Sequence, residues 1–215
     1  MNRRQQRKAA TRAGMLDAAA ARLRTDGPAA TGVADVMADA GLTHGGFYGH
    51  FAGKEAMLRA AFHHAMSQSR EDWFAGLENA RGEERLRWLA GRYLSPRHRD
   101  HPQDGCALAS LAGDASRPAA GLRTEFEAEL LQSLARLSDG LDDGAAEAPG
   151  DSAIAFLSLC IGGLLTARAV EDPALSARIL RACRQLAPRL ATADNALTDD
   201  NSEPRTAPGT EGGPQ

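Results

Sequence analysis

Apolar residues recur at intervals of three and four along most of the chain, and this helical periodicity limits the possible folds more than any other feature. Leu16, Ala19 and Leu23 show it near the start, and Leu58 with Phe62 repeats it further on. Val and Ile are scarce, and no apolar-polar alternation flanks a turn dipeptide. The sequence therefore predicts an all-α fold.

Breaks in the periodicity divide this chain of 215 residues into four segments. A Gly-Pro pair at 27–28 ends the first long helix, and loops are predicted around 95–105 and 142–150. From about residue 191 the only large apolar side chain is Leu197, which cannot offset the entropy of ordering the tail. We therefore expect a flexible basic arm (1–10), an N-terminal domain (11–53), a larger helical domain (54–190) and a disordered tail (191–215).

The charge of the chain is distributed unevenly. Residues 1–70 hold ten Lys or Arg and five Asp or Glu, whereas residues 71–215 hold fifteen and twenty-three. The first third is thus cationic (+5) and the remainder acidic (−8), although the net charge is only −3. A cationic segment suits a polyanion such as DNA, whose phosphates supply most of the sequence-independent binding energy.

The positions of the cysteines and the length of the apolar stretches indicate the cellular compartment and whether a metal or a membrane span is expected. The three cysteines, Cys106, Cys160 and Cys183, lie far apart, so neither a disulfide framework nor a cysteine zinc site is expected. The uncharged stretch 152–167 falls short of the roughly 20 residues of a membrane span. We expect a cytoplasmic protein with reduced thiols, no membrane segment, no metal and no cofactor.

A helix-turn-helix pattern lies between Ala29 and Lys54. Thr31 can cap a short helix whose apolar residues Val33, Val36 and Met37 share one face. Gly41 can then adopt a positive φ in a tight turn that buries Leu42, and Thr43 can cap a second short helix. Two short helices joined in this way can place the second in a DNA major groove about 12 Å wide.

This segment resembles the DNA-binding domain of the TetR family of transcriptional regulators over roughly residues 9–66. The features that carry the resemblance are Thr31, Ala40-Gly41-Leu42-Thr43, Phe47-Tyr48-Gly49-His50-Phe51 and Lys54-Glu55. Two departures from the family pattern stand out. Met37 replaces a usually small residue, and Gly46 and Gly49 weaken the third helix by about 1 kcal/mol each.

The resemblance implies contacts with double-stranded operator DNA. Phe47 and Phe51 are expected in the core, and the Tyr48 hydroxyl on a phosphate. A lysine at a helix N-terminus is electrostatically unfavourable unless a phosphate lies beside it, as the family role of Lys54 implies. His50 is either a structural histidine or a phosphate contact. The expected DNA-binding residues are Thr31, Thr43, His44, Gly45, Tyr48, His50 and Lys54, with His44 and Gly45 nearest the base edges.

The remainder of the chain resembles the family only in layout, with helices for an antiparallel sensor domain that binds a small-molecule effector. The expected ligand-binding residues are Trp73, Trp88, Tyr93, Cys106, Leu108, Leu111, Phe126 and Leu130. The helix from Ser152 to Val170 is apolar on nearly all sides. Paired with Pro173 to Leu190, it is expected to form a homodimer as a four-helix bundle, with Gly162-Gly163 allowing close approach.

We interpret the sequence as a transcriptional repressor that a small molecule releases from its operator. Two alternatives stay open: a regulator that responds to thiol oxidation or to a protein partner, and an all-helical enzyme with Cys106 as nucleophile. The enzyme would need a base near Cys106, and only His98 and His101 are close in sequence. The same histidines with Asp100 and Asp104 also allow a metal-sensing loop, although no metal site is predicted.

Overall fold

The computed structural model describes residues 2–117, 122–139 and 150–192, and within these ranges it is helical without a strand, which confirms the all-α prediction. The α-helices are α1 Arg3–Thr25, α2 Gly27–Ala30, α3 Val33–Asp39, α4 Lys54–Phe74, α5 Gly82–Tyr93, α6 Pro96–Asp100, α7 Ala107–Ala115, α8 Arg123–Ser138, α9 Asp151–Ala169 and α10 Pro173–Leu186. Three 3₁₀ segments complete the described chain: His44–Gly49, Pro102–Asp104 and Ala187–Thr192.

The basic N-terminal arm is helical where the sequence predicted flexibility. Helix α1 begins at Arg3, and Asn2 caps it in a capping box with Gln5, so the amides of Asn2 and Arg4 both have an acceptor. Residues 3–10 are exposed, but they consist of Arg, Gln, Lys and Ala, which have high helix propensity. The expected flexible arm is therefore a continuation of the first helix of the N-terminal domain.

The N-terminal domain folds around the first part of α4. Helix α1 packs along α4, and Leu23, Phe47 and Phe62 are fully buried between the elements. Val36 and Met37 are also buried, as their spacing predicted. Because α4 runs on to Phe74, one continuous helix joins this domain to the rest of the chain.

Helix α9 forms the centre of the larger domain. It contacts α5, α7, α8 and α10, and it buries Phe156, Cys160 and Leu164. A Cβ on Gly163 would lie 2.7 Å from Sγ of Cys183, so α10 of the same chain packs directly against this glycine. Gly162, by contrast, is exposed and has no neighbour within 4 Å of its Cβ position. The expectation that both glycines admit a partner helix is therefore wrong for Gly163.

Helix α9 is also the one described helix that is long and apolar enough to cross a membrane, with 19 residues and a mean hydropathy of 1.6. Within that apolar window 44% of the residues are buried inside the chain. The buried side chains of α9 pack on several neighbouring helices, whereas Ile154 and Leu165 stay exposed. Most of the predicted loop at 142–150 and most of the predicted tail (from residue 193) lie outside the described residues, and residues 191 and 192 belong to the last 3₁₀ segment.

Candidate DNA-binding and effector sites

The turn between α3 and the next helical segment has the predicted geometry. Gly41 adopts φ +68°, a conformation that L side chains rarely adopt, and the amide of Leu42 donates to the carbonyl of Met37. Thr43 then occupies the N-cap position of His44–Gly49, but its side chain accepts no capping hydrogen bond, so the predicted side-chain cap is absent. This segment, called here the recognition segment, is a 3₁₀ helix because three of its six residues are glycine and resist a regular α-helix.

Four of the predicted DNA contacts form one exposed surface. Thr43, His44, Gly45 and Tyr48 are all exposed, and 71% of Tyr48 is accessible. The Tyr48 ring packs edge-on against buried Phe47, with ring centroids 5.2 Å apart, so the core orients this side chain. We call these four residues the reading surface. Side chains with hydroxyl and imidazole groups in this position can contact phosphates and base edges.

Of the remaining three predicted contacts, Thr31 and Lys54 have structural partners and His50 has none for its buried ring nitrogen. Thr31 is fully buried and its Oγ1 donates to the carbonyl of Gly27 at 2.7 Å, while Gly32 takes the N-cap position of α3. The prediction that Thr31 caps α3 and contacts DNA is therefore wrong, because its hydroxyl closes α2. His50 is half-buried, and its Nδ1 is buried without a hydrogen bond in the described chain.

Lys54 has a role that the sequence did not reveal. Its Nζ donates to the carbonyl of Ala29 at 3.1 Å, near the C-terminal end of α2. Free carbonyls there attract a cation, which offsets the unfavourable position of Lys54 at the N-terminus of α4. The position of Lys54 at a helix N-terminus is thus explained without a phosphate. Its side chain is half-buried.

Helix α1 carries positive charge from Arg12, which contacts Phe51, to its N-terminus. The Arg12 guanidinium stacks on the ring of Phe51, 5.1 Å from its centroid, immediately after the recognition segment. Helix α1 therefore runs toward this end of the domain, and its first turns carry four more exposed cations: Arg3, Arg4, Arg7 and Lys8.

A cavity of about 500 Å³ lies in the larger domain, within the range of sites that hold one small molecule. Four of the residues predicted to bind a ligand line this cavity: Trp73, Tyr93, Cys106 and Leu108. The indole N–H of Trp73 donates to the carbonyl of Leu89, which fixes the ring in the cavity wall. The cavity is bordered by α4, α5 and α7 and by the segment 95–106.

The other four predicted ligand-binding residues do not line the cavity. Trp88 is 56% exposed because α5 turns Leu86 and Leu89 inward and leaves Trp88 on the opposite face. Leu111, Phe126 and Leu130 pack into or against the core instead, and Phe126 stacks on Phe62 with centroids 6.4 Å apart. The prediction for these residues rested on their apolar character, which does not distinguish a core side chain from one that lines a cavity.

Polar groups supply much of the cavity wall, and sequence reasoning missed most of them. No local motif marks them, because they come from α4, α5, α8 and the segment 95–106. Beyond the four predicted residues, the lining consists of Met66, Ser69, Arg70, Asp72, Arg92, Ser95, Arg97, His98, His101, Asp104, Gly105, Ser133 and Leu157.

His98 is held by the backbone on both ring nitrogens. Nδ1 lies 2.8 Å from the carbonyl of Tyr93 and donates to it, while Nε2 accepts from the amide of Cys106 at 3.0 Å. Burial lowers the pKa of His98 from 6.5 to about 4, so the ring is neutral. With both nitrogens engaged, His98 is not placed to deprotonate the Cys106 thiol, which disfavours the enzyme alternative.

The side chains that a metal-sensing loop would use as ligands have other partners. His98 is engaged as described, the Asp100 carboxylate pairs with Arg99, and His101 Nδ1 lies 3.1 Å from the carbonyl of Arg97. Within residues 2–117, 122–139 and 150–192, no group of three His, Cys, Asp or Glu side chains is arranged to hold a metal ion.

Acid is expected to destabilise the protein through His98. Because its folded pKa is depressed, the unfolded chain binds a proton that the folded chain excludes, so stability is complete above pH 6.5 and falls as the pH drops toward 4. The free energy of unfolding should fall by about 2 kcal/mol between pH 7 and pH 5 from this group. Urea denaturation of His98→Asn should show a flatter pH dependence, and exposed His101→Asn serves as the control. Parallel pH profiles for His98→Asn and the parent protein would contradict the assignment.

Comparison with known protein families identifies the N-terminal domain. Residues 15–61 match the model of the bacterial regulatory proteins of the tetR family. The match covers the end of α1, the helix-turn-helix and the start of α4, which together hold the reading surface. The N-terminal domain of this chain is a TetR-family domain.

Solved structures show that the TetR-type fold extends over most of the chain, beyond the N-terminal domain. A TetR transcriptional regulator from Chloroflexus aurantiacus is 23% identical over 89% of this chain and 97% of its own, with a TM-score of 0.68. Escherichia coli NemR in its reduced form is 19% identical over 82% and 94%, with a TM-score of 0.68. FadR from Bacillus subtilis in complex with stearoyl-CoA is 17% identical over 84% and 95%, with a TM-score of 0.51. No curated protein has significant sequence similarity to the chain.

One buried arginine links the TetR-family domain to the cavity. Arg24, at the end of α1, is only 7% exposed and donates to the carbonyls of Gln103 and Ala65 and to Ser69 Oγ. Ser69 Oγ also lies 3.1 Å from the carbonyl of Gly105, and both Ser69 and Gly105 line the cavity. The guanidinium therefore connects α1, α4 and the cavity wall at one point.

Helices α9 and α10 both expose large apolar side chains. Along α9, Ile154, Gly162 and Leu165 lie on one exposed stripe at helical spacing, and Leu175 and Leu186 are exposed on one side of α10. We call these five residues the α9–α10 face. Leu164, one position away from Leu165, is fully buried inside the chain.

Proposed function

We propose that this protein is a homodimeric transcriptional repressor that releases its operator when a small molecule occupies the cavity. The observation that carries the proposal is the reading surface: a TetR-family helix-turn-helix presents Thr43, His44, Gly45 and Tyr48 outward on a buried aromatic core. The cationic first turns of α1 lie at the same end of the domain. Operator binding places the protein in the cytoplasm.

Dimerisation is supported by the α9–α10 face. Ile154, Leu165, Leu175 and Leu186 are all exposed on two helices that pack against each other. Monomeric proteins rarely expose large apolar patches, so a second copy is the expected cover. Exposed Gly162 allows close approach of a second helix at the centre of the stripe. Two antiparallel helices from each protomer would then form a four-helix bundle with two-fold symmetry, and the symmetry would match two half-sites on the operator.

Effector control is supported by the cavity and by Arg24. The hydrogen bonds that the Arg24 guanidinium donates require its acceptors to stay in place, and these are the carbonyls of Gln103 and Ala65 and the Ser69 hydroxyl. A molecule that displaces the cavity wall at Gly105 or Ser69 would move acceptors that hold α1, and would so change the orientation of the reading surface. The stearoyl-CoA complex of the FadR structure supports ligand control in this fold. To release DNA, the ligand must bind the DNA-incompetent state more tightly.

The oxidation alternative has weaker support. Cys106 is buried in the cavity wall, and burial raises the pKa of the Cys160 and Cys183 thiols, which disfavours reactive thiolates at those two positions. A well-formed cavity of about 500 Å³ also favours an organic ligand over a protein partner as the signal.

The proposal is tested by separating specific from non-specific DNA binding. The specific duplex is the DNA upstream of the protein's own gene, mapped by footprinting, and the control duplex has random sequence. His44→Ala should lower the ratio of the two affinities by about 5- to 150-fold, because a base contact discriminates by roughly 1–3 kcal/mol. Tyr48→Phe should instead weaken both complexes alike, since phosphate contacts carry no sequence information. If the ratio of specific to random affinity is unchanged in His44→Ala, the recognition segment does not read the bases through His44.

A further inference from the structure

Glycine is required at some positions of this fold for reasons that lie within the protein. Gly41 adopts φ +68°, which an L side chain rarely adopts. A Cβ at Gly105 would lie 2.7 Å from Nε2 of His98. At Gly163 the nearest atom, Sγ of Cys183, would lie at the same distance. A side chain at any of these three positions would strain the backbone or collide with the rest of the chain.

Gly45 in the recognition segment has no such reason. Its φ is outside the left-handed region, and within the described chain no atom beyond its immediate neighbours lies within 4 Å of its Cβ position. The residue is exposed, and the segment around it is helical. Glycine destabilises a helix relative to alanine, because it loses more conformational freedom on folding. The folded protein would thus accept a side chain at this position and become more stable.

The direction of the missing side chain follows from the 3₁₀ geometry. Residues three apart are eclipsed in a 3₁₀ helix, so Gly45 lies on the same face as Tyr48. Tyr48 is 71% exposed and belongs to the reading surface. Gly46 lies on a different face, where a Cβ would make an ordinary contact of 3.8 Å with Cε of buried Met37. Gly45 is therefore turned away from the domain and Gly46 toward it.

A glycine that the fold does not require is typical of a place where the backbone closely approaches a ligand. At the reading surface the proposed ligand is the operator. The imidazole of the neighbouring His44 has a short reach, so it can bond to a base edge only when the backbone of the segment lies close to the bases. Hydrogen bonds require donor and acceptor atoms to be about 3 Å apart. A Cβ on the face of Tyr48 would occupy the space between this backbone and the groove.

We propose that Gly45 is a specificity-determining residue, whose missing side chain lets the backbone of the recognition segment lie against the base edges of the operator. This inference rests on the proposed operator binding and adds the residue that sets how deeply the segment enters the major groove. Contacts with phosphates do not need such depth, so binding to random duplexes does not depend on Gly45. The competing explanation is that glycine only keeps the segment flexible.

The test compares Gly45→Ala and Gly45→Leu with the parent protein on the specific and random duplexes. The ratio of specific to random affinity should fall at least about tenfold in Gly45→Ala, as when a base contact is lost. It should fall further in Gly45→Leu, because the larger side chain holds the segment farther from the bases. A parental ratio in Gly45→Ala overturns the proposal.

Thermal denaturation shows whether the fold itself requires this glycine. The melting temperature of Gly45→Ala should be at or above that of the parent, since alanine favours a helix over glycine. A loss of operator preference then reflects the interface with DNA. A lower melting temperature in Gly45→Ala would show that the folded chain needs glycine there, and would also overturn the proposal.

Gly46→Ala is the matched control for flexibility. It stiffens the same segment by the same substitution, but its Cβ meets Met37 of the same domain. Its ratio of specific to random affinity should equal that of the parent. If Gly46→Ala loses as much preference as Gly45→Ala, flexibility of the segment explains both results, and the close approach at Gly45 is wrong.

The parent protein separates this inference from the proposed function. If the parent binds the specific and random duplexes equally, operator recognition fails and the role of Gly45 fails with it. If the parent prefers the specific duplex and Gly45→Ala keeps that preference, operator recognition stands and only the role of Gly45 is refuted.

Discussion

Leu165→Arg is expected to convert the protein to monomers and to lower its operator affinity by about 10²- to 10⁴-fold, the contribution of bivalent binding. Leu165 lies on the α9–α10 face with 43% of its surface exposed, so the substitution leaves the interior of the chain unchanged. A bundle of two hairpins would have to bury the new charge, which is costly without a partner. A single protomer then binds one half-site only.

Sedimentation and operator titration measure the two effects separately. Leu131→Arg on α8 is the matched control, because Leu131 is also an exposed leucine (48%) and lies outside the α9–α10 face. Substitutions at Gly163 or Leu164 are unsuitable, since both residues are buried within the chain and arginine there would disrupt the fold. Intact dimers of Leu165→Arg at micromolar concentration would place the interface elsewhere.

Replacing the four cations of the first turns of α1 with glutamine should weaken DNA binding by about 10²- to 10³-fold near 0.1 M salt. The residues are Arg3, Arg4, Arg7 and Lys8. All four are exposed, and they precede Arg12, whose guanidinium contacts Phe51. Each phosphate contact releases counterions, so the slope of log K against log salt should become shallower by about 3 to 4 for each protomer. Specific and random duplexes should lose affinity together.

Glutamine retains good helix propensity, so α1 should stay folded in this variant, and circular dichroism checks it. The matched control replaces four exposed arginines of the larger domain by glutamine: Arg81, Arg87, Arg117 and Arg123. Its salt slope should equal that of the parent. A parental slope in the α1 variant would show that this helical extension does not reach the phosphate backbone.

Local patterns predicted much of the N-terminal domain. The apolar spacing of Val36 and Met37, the glycine needed at position 41 for φ +68°, and the burial of Phe47 and Phe51 all follow from neighbours within a few residues. The helical course of residues 3–10 was missed although its cause is also local, because a capping asparagine and good helix formers outweigh like-charge repulsion in the exposed turns.

Periodicity did not separate cavity residues from core residues in the larger domain. Tyr93 and Leu111 are both almost fully buried, yet only Tyr93 borders the cavity. Trp88 is an aromatic residue in a helix next to the cavity, and it points to solvent. The side of a helix that borders empty space depends on which other helices approach it, and residues distant in the sequence determine this.

The sequence by itself determined the helical class and the helix-turn-helix with its aromatic run, because short-range hydrogen bonding and amphipathic spacing decide them. Only the tertiary structure decided that Thr31 is buried, that Lys54 binds the α2 carbonyl, and that Gly163 faces α10 of its own chain. It also decided the partners of Arg24, which lie 41 to 79 residues away. The donors and acceptors of these contacts are common residue types, and their pairing depends on helix packing that no local pattern encodes.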